Sequence, residues 1–250
     1  MNDSCEVIIL STKEYKENDA LVSALSLKYG YQTFIAKGLN KADSRNRSAC
    51  LPYSISQFMF DYKETGLQLL HSASLVKSYH SIQDDLAKMT VMSVISEMIE
   101  FLVKDNTYDD ELIQEAYLNY GSILDRMANT DKYAHLLGYT FSFIYRMLGI
   151  DPIVDECAIC GDTKVSSISL SEGGFICYKC QKTILSPIYP LEFLMDFRII
   201  NKLTLDKLDK YLNYNMPSRT MIDFLYEYFV FHSSQTLKSW VFIDKWAIIK

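Results

Sequence analysis

Residues 157–180 read CAICGDTKVSSISLSEGGFICYKC and hold four of the six cysteines in a 250-residue chain. The four fall as C-x2-C, then sixteen residues, then C-x2-C. A two-residue gap lets both thiolates of a pair face one ion, and four soft ligands complete the tetrahedral shell that zinc takes at ~2.3 Å. Gly161, directly after Cys160, suits the tight turn this needs, and Gly173-Gly174 would reverse the chain and return the second pair to the first. The spacing predicts Zn2+, in preference to iron, at Cys157, Cys160, Cys177 and Cys180. A catalytic zinc keeps an open position and recruits His or carboxylate ligands, whereas four thiolates close the shell. None of His71, His80, His135 and His232 opens the H-x-E of a nucleobase deaminase. A thiol-exchange motif would be a single C-x-x-C beside a βαβ pattern. The metal is therefore expected to be structural. Cys5 and Cys50 have no partner at metal spacing and read as small buried thiols.

Upstream, the first eighty residues read as strands. CEVIILST (5–12) is a short apolar run, and LVSALSLKYGYQTFIAKG (21–38) breaks at Gly30 into two more segments. YSISQFMFDYK (53–63) sets Phe58, Phe60 and Tyr62 on one face by period-two alternation. TGLQLLHSASLVKSY (65–79) follows a turn signal at Glu64-Thr65-Gly66. About five short strands suit a small barrel or sandwich. From Ser81 the period becomes helical. Ser81 with Asp84 looks like a capping box, and Ile82, Leu86, Met89, Met92, Ile95, Ile99 and Leu102 recur along one face. Further helices are expected over about 110–128 and 131–148, the latter stopped by Gly149 and Pro152. Three more are expected in LEFLMDFRIINK, LDKLDKYLNY and, after Pro217, SRTMIDFLYEYFVFHSSQTLKSW. The ending LKSWVFIDKWAIIK reads as an apolar, strand-like tail. The expected organisation is α+β: residues 1–80 form a β module, and residues 81–250 form a helical domain interrupted at about 153–186 by the four-cysteine segment.

Forty-nine percent apolar and 22 percent charged residues are the mark of a folded chain. No apolar run nears the ~20 residues a membrane span needs, and the N-terminus lacks a secretion signal. A cytosolic protein is expected, where paired thiols more often hold metal than form disulfides. Net charge is −6, unevenly spread. Residues 1–80 carry nine Lys/Arg against eight Asp/Glu, and the rest carry sixteen against twenty-three, a net −7. The one cationic cluster in the β module is AKGLNKADSRNRSAC (36–50), where Lys37, Lys41, Arg45 and Arg47 face one acid, Asp43. Charge runs are more often solvated surface than binding sites. Small barrels, however, bind single strands between a sheet face and its loops, so these four are the candidate polyanion contacts. Tyr31, Phe34 and Tyr53 are candidates to stack bases, or equally to fill the barrel. Motifs for nucleotide binding, nucleophilic serine chemistry and paired-carboxylate chemistry are missing, and acids at helix starts answer the helix dipole. No catalytic residue is expected.

GIDPIVDECAICGD…SEGGFICYKC resembles a segment of the bacterial recombination mediator family RecO, through Gly149, Pro152, Cys157, Cys160, Gly161, Gly173, Gly174, Cys177 and Cys180. The opening STKEYKENDALVSALSLKYG is similar to that family's start, with a Y-x-E-x-D turn at Tyr15, Glu17 and Asp19 and a glycine at Gly30. AKGLNKADSR is similar to its K-G…S-R loop at Lys37, Gly38, Ser44 and Arg45. The resemblance covers nearly the whole chain and departs from it in the Trp-containing tail and in the acidity of the chain. It implies an N-terminal five-stranded OB-fold barrel, an all-helical C-terminal domain and an inserted zinc knuckle. It also implies binding of single- and double-stranded DNA, annealing of complementary strands, and partnership with RecR and single-stranded-DNA-binding protein to help load RecA. Nucleoid association and the absence of covalent chemistry follow from the same likeness. Two other classes stay open. One is a zinc-stabilised adaptor that binds only proteins, suggested by the acidic rear and aromatic tail. The other is a metal-dependent nucleic-acid enzyme, which the closed thiolate shell opposes.

Overall fold

Strands form where apolar residues alternate between turn residues: β1 (Asp3–Tyr15), β2 (Asp19–Ser26), β3 (Gly30–Ala36), β4 (Ile55–Asp61) and β5 (Gln68–Lys77). A computed structural model, which describes residues 3–105 and 109–245, closes them into a barrel in the order β1-β2-β3-β5-β4. β1 is long because it serves two partners, β4 along Asp3 to Ile8 and β2 from Ile8 to Tyr15. A register shift between Ile9 and Ser11 bends it round the barrel. All pairs are antiparallel except β3–β5, which meet in parallel through Phe34–Gln68 and Ile35–Leu69. This is the five-stranded OB-like barrel expected. At the seam Gln68 is fully buried, and its amide donates to Gln32 Oε1 and to the Lys63 carbonyl while its own oxygen accepts from Lys63 N–H. Burial of such a group is tolerable because every polar atom of its amide is engaged.

Phe34, Phe58 and Phe60 fill the barrel, with Phe34 edge-on to both others at 5.0 Å between centroids. Phe34 and Tyr53 are thus core residues rather than stacking platforms. Tyr31 is half-buried and donates its hydroxyl to Glu100 Oε1 at 2.7 Å.

Helices α1 (His80–Gln83), α2 (Leu86–Lys104) and α3 (Asp110–Asn129) follow. The capping box expected at Ser81–Asp84 does not form. Ser81 instead donates to the Ala128 carbonyl, the chain breaks at Asp84-Asp85, and Asp85 caps α2 by accepting from Ala87 and Lys88 N–H. Leu86 and Met89, expected inward, are exposed as a result. α2 and α3 hold the barrel through the Tyr31–Glu100 and Tyr117–Glu6 bonds and the Lys77–Asp125 ion pair. The first compact unit therefore runs to Asp131 and takes in Ser239–Phe242, although the last barrel strand ends at Lys77.

The second unit begins at Lys132. It contains α4 (Tyr133–Leu148), β6 (Val165–Ser169), β7 (Gly174–Cys177), α5 (Tyr178–Ile184), α6 (Leu191–Asn201), a 3-10 turn (Leu205–Lys207), α7 (Leu208–Tyr211) and α8 (Arg219–Ser233). Gly149, at φ 67°, ends α4 in the left-handed conformation that only a residue without Cβ adopts freely. Ser218 caps α8 by accepting from Met221 N–H. α8 stops at Ser233 because Ser234 turns left-handed, so the helix expected through Trp240 is shorter. The end of the chain, expected as strand-like, is helical over α9 (Trp240–Lys245), and residues 246–250 lie outside the described residues. No described helix is long and apolar enough to cross a membrane.

Replacing Phe34 by Ala removes the ring on which Phe58 and Phe60 converge. The expected cost is ~3–5 kcal/mol, read as a lower denaturant midpoint at unchanged slope.

Candidate metal centre and nucleic-acid interface

The cysteine segment is a small folded module. Gly161 N–H donates to the Cys157 carbonyl at 2.9 Å and closes the first knuckle, with Gly161 at φ 75°. Cys157 N–H donates to the Asp162 carbonyl and Ala158 N–H to Phe175, so the first knuckle lies on the β6–β7 hairpin. Cys177 ends β7 and caps α5, which puts Cys180 one turn further on the same side. The four sulfurs all lie within 4.8 Å of one another, with Cys160 Sγ 3.6 Å from Cys177 Sγ. Sulfurs at the corners of a tetrahedron with 2.3 Å bonds stand about 3.8 Å apart. The donor set therefore fits a tetrahedral metal ion. Cys157 and Cys177 are buried against Ile176 and Ile184, whereas Cys160 is exposed.

Electrostatics within the module is unbalanced without a cation. Burial opposes ionisation of Cys157, but the N–H groups of Cys177, Ile159 and Cys160 point at its sulfur and bring the thiol down to about 6. Cys180 is pushed up to about 12 by a proton shared with Cys160 and then by burial. One thiolate is thus ready at neutral pH and its neighbours resist adding further negative charge. A divalent ion removes that conflict, which is why binding to such a set releases protons. Cys5 and Cys50 are different: both are buried in the barrel unit, and burial raises them to about 11 and about 12. They behave as core thiols.

The module is fixed to its unit by a close backbone approach. Gly174 pairs in parallel with Ile153, and a Cβ on Gly174 would lie 2.4 Å from the Ile153 carbonyl oxygen. Only glycine fits there. Asp155 adds ion pairs to Arg198 on α6 at 2.7 Å and to Lys202 at the end of that helix.

The four sequence-picked cations occupy the β3–β4 connection. Lys37, Lys41, Arg45 and Arg47 are all exposed, and among the described residues none forms an ion pair. The loop is not loose. Leu39, Ala49 and Cys50 are buried anchors. Gly38 N–H donates to Asp19 Oδ1 at 2.8 Å and Asn40 N–H to the Asn18 carbonyl. Ala73 N–H donates to Asn46 Oδ1, which ties the loop to β5. Arg47 donates to the carbonyls of Asn40 and Lys41 at 3.0 and 2.8 Å. The Asp19–Gly38 bond also brings the β1–β2 turn, with exposed Lys16, beside the basic loop. Sequence reasoning missed Lys16 because some twenty residues separate it from the cluster. The signal available was Asp19, an acid beside a turn.

A family model described as recombination protein O, N terminal, matches residues 1–79, and one described as recombination protein O, C terminal, matches residues 83–240. The chain is 28% identical over 182 residues to the DNA repair protein RecO of Oceanobacillus iheyensis, covering 72% of this chain and 68% of that protein. It is 25% identical over 248 residues to the DNA repair protein RecO of Desulforamulus reducens, covering 96% and 93% respectively.

Gly174→Ala is expected to destabilise the second unit by about 3 kcal/mol or more through the Ile153 clash, seen as an early thermal transition. Retention of a divalent ion depends on thiolates. It is expected to hold at pH 7 and to be lost as acid returns protons to the sulfurs, measured by metal analysis after gel filtration across a descending pH series.

Proposed function

Because the chain belongs to the recombination protein O family, we propose that it is a bacterial DNA repair protein that binds single- and double-stranded DNA and anneals complementary strands. In this reading it works in the cytoplasm at the nucleoid, with RecR and a single-stranded-DNA-binding protein, to help load RecA. It makes and breaks no covalent bond. The observation that carries the proposal is a barrel-anchored loop with four exposed cations and, among the described residues, no counter-ion pairing them.

The mechanism is electrostatic. Two DNA strands repel, and a protein that cancels charge on both lowers the barrier to pairing. Lys37, Lys41, Arg45 and Arg47 neutralise phosphates of one strand at the open end of the barrel, with Lys16 beside them. Zn2+ at Cys157, Cys160, Cys177 and Cys180 braces the second unit and takes no part in strand pairing. The four-thiolate donor set favours zinc, being soft and tetrahedral.

A second reading has its own support. Leu185, Ile188, Leu191 and Met195 are exposed in a short stretch of the second unit, which suits a protein-binding adaptor that does not touch DNA.

Four phosphate contacts give log K against log salt a slope of roughly −3 on single strands. Alanine at Lys37, Lys41, Arg45 and Arg47 is expected to bring that slope near zero for barrel-bound DNA and to slow annealing of labelled complementary strands, without ATP in either case. An unchanged slope together with unchanged annealing removes the loop from the contact, whereas absence of any salt-dependent DNA retention by the unsubstituted chain supports the adaptor reading. For the metal, Cys157→Ser is expected to lower the melting temperature of the chain and its zinc content from one ion per chain, while DNA affinity of the folded fraction stays within about twofold of the unsubstituted protein.

A further inference from the structure

The second unit is close to neutral, and four of its cations line one cavity. Arg198 stands in the last turn of α6 and Lys202 at its C-cap, and Lys207 and Lys210 follow on the 3-10 turn and α7. The cavity they share measures about 300 Å³, the lower end of the size range for small-ligand pockets. Leu203 and Tyr211 are buried in its lining, and Tyr214, nearly half exposed, stands beside Tyr211 with centroids 6.4 Å apart. The Tyr211 hydroxyl is buried without a hydrogen-bond partner. Asp155 already pairs with Arg198 and Lys202. Lys207 and Lys210 are exposed and, among the described residues, form no ion pair. Asp206 and Asp209, their neighbours in sequence, do not line the cavity.

We propose that this pocket is a second binding site for single-stranded nucleic acid, in which a base lies against Tyr214 and the flanking phosphates meet Lys207 and Lys210. Aromatic faces set among cations are what sequence-independent single-strand sites are made of, since every base has a face to stack and every nucleotide a charge to neutralise. Lys207 and Lys210, exposed and without an ion pair among the described residues, select an anion here. The partly exposed ring selects one with a flat face. The site goes beyond the barrel loop and stands on its own residues, whether or not the barrel grips DNA. If both sites hold, one chain carries two strands.

The test uses the full chain and a short oligothymidylate whose bases include bromodeoxyuridine. Ultraviolet crosslinking followed by peptide mapping is expected to mark the peptide containing Tyr214 in the unsubstituted protein. In fluorescence titrations, the variant with alanine at Lys37, Lys41, Arg45 and Arg47 is expected to keep a weaker binding mode. Lys207→Glu with Lys210→Glu is expected to abolish that mode. Tyr214→Ala weakens it about tenfold, and Tyr214→Phe, which keeps the ring, restores it. The two lysines and Tyr214 are exposed, and equal melting temperatures check that the variants fold. The proposal is overturned by no crosslink at Tyr214 combined with titrations that the double Glu variant leaves unchanged. It is equally overturned if an acidic peptide loses binding in the double Glu variant while the oligonucleotide does not, which assigns the pocket to a protein partner. If the barrel variant binds as tightly as the unsubstituted chain, the barrel reading fails and this one remains.

Discussion

A five-stranded sheet has two raw edges unless its outer strands meet, and here closure rests on a short parallel contact between β3 and β5. There, and among the described residues only there, a fully satisfied glutamine, Gln68, is buried next to an aromatic core. Hydrogen bonds to an amide inside the barrel are worth more than at the surface, and each would be costly to leave unmade. The seam therefore fixes register as well as closure. Because β3 must end beside β5, the chain leaving Ala36 has to cross to β4 over one end of the barrel. The long polar connection that makes this crossing carries the four cations, and Asp19, Asn18 and Asn46 hold it in place.

The cysteine module solves the opposite problem. It has too little apolar surface to fold by burial: its cluster is Cys157, Ile176 and Cys177, with Ala158, Cys180 and Ile184 against them. A hairpin of two short strands is marginal in water by itself. Sulfur ligation to one ion would supply the cross-links that burial does not, and the parallel bridge from Ile153 to Gly174 fastens the result to the rest of its unit. The glycine pair that sequence reading valued as a reversal has a second use there, since Gly173 takes the positive φ and Gly174 accepts the backbone contact.

Much of this was legible because it depends on local period and on spacing. The strands, the helices over 110–129 and 133–148, the Gly149 stop and the cysteine cluster follow from alternation, helical repeat or a fixed ligand gap. What was not legible depends on partners distant in sequence. Ser81 looked like a cap, yet Asp85, whose side chain reaches two N–H groups, starts the helix. Phe34 looked equally fit to face a ligand or the core, and only the positions of Phe58 and Phe60 decide it. The β1–β2 turn meets the basic loop through a bond between residues nineteen apart. Arg198, Lys202, Lys207 and Lys210 converge because α6 and α7 fold toward each other, and their sequence, interleaved with Asp196, Asp206 and Asp209, gives no hint of a net charge.

Arg47 differs from the other three cations of its loop, since its guanidinium is tied to two main-chain carbonyls. Holding a long side chain still usually costs up to about 2 kcal/mol of rotamer freedom. For Arg47 that cost has been met during folding, so its charge stands at a set point, whereas among the described residues Lys37, Lys41 and Arg45 have no such tether. A polyanion arriving at this end of the barrel meets one stationary landmark among untethered arms, an arrangement that tolerates variable chain geometry without surrendering alignment.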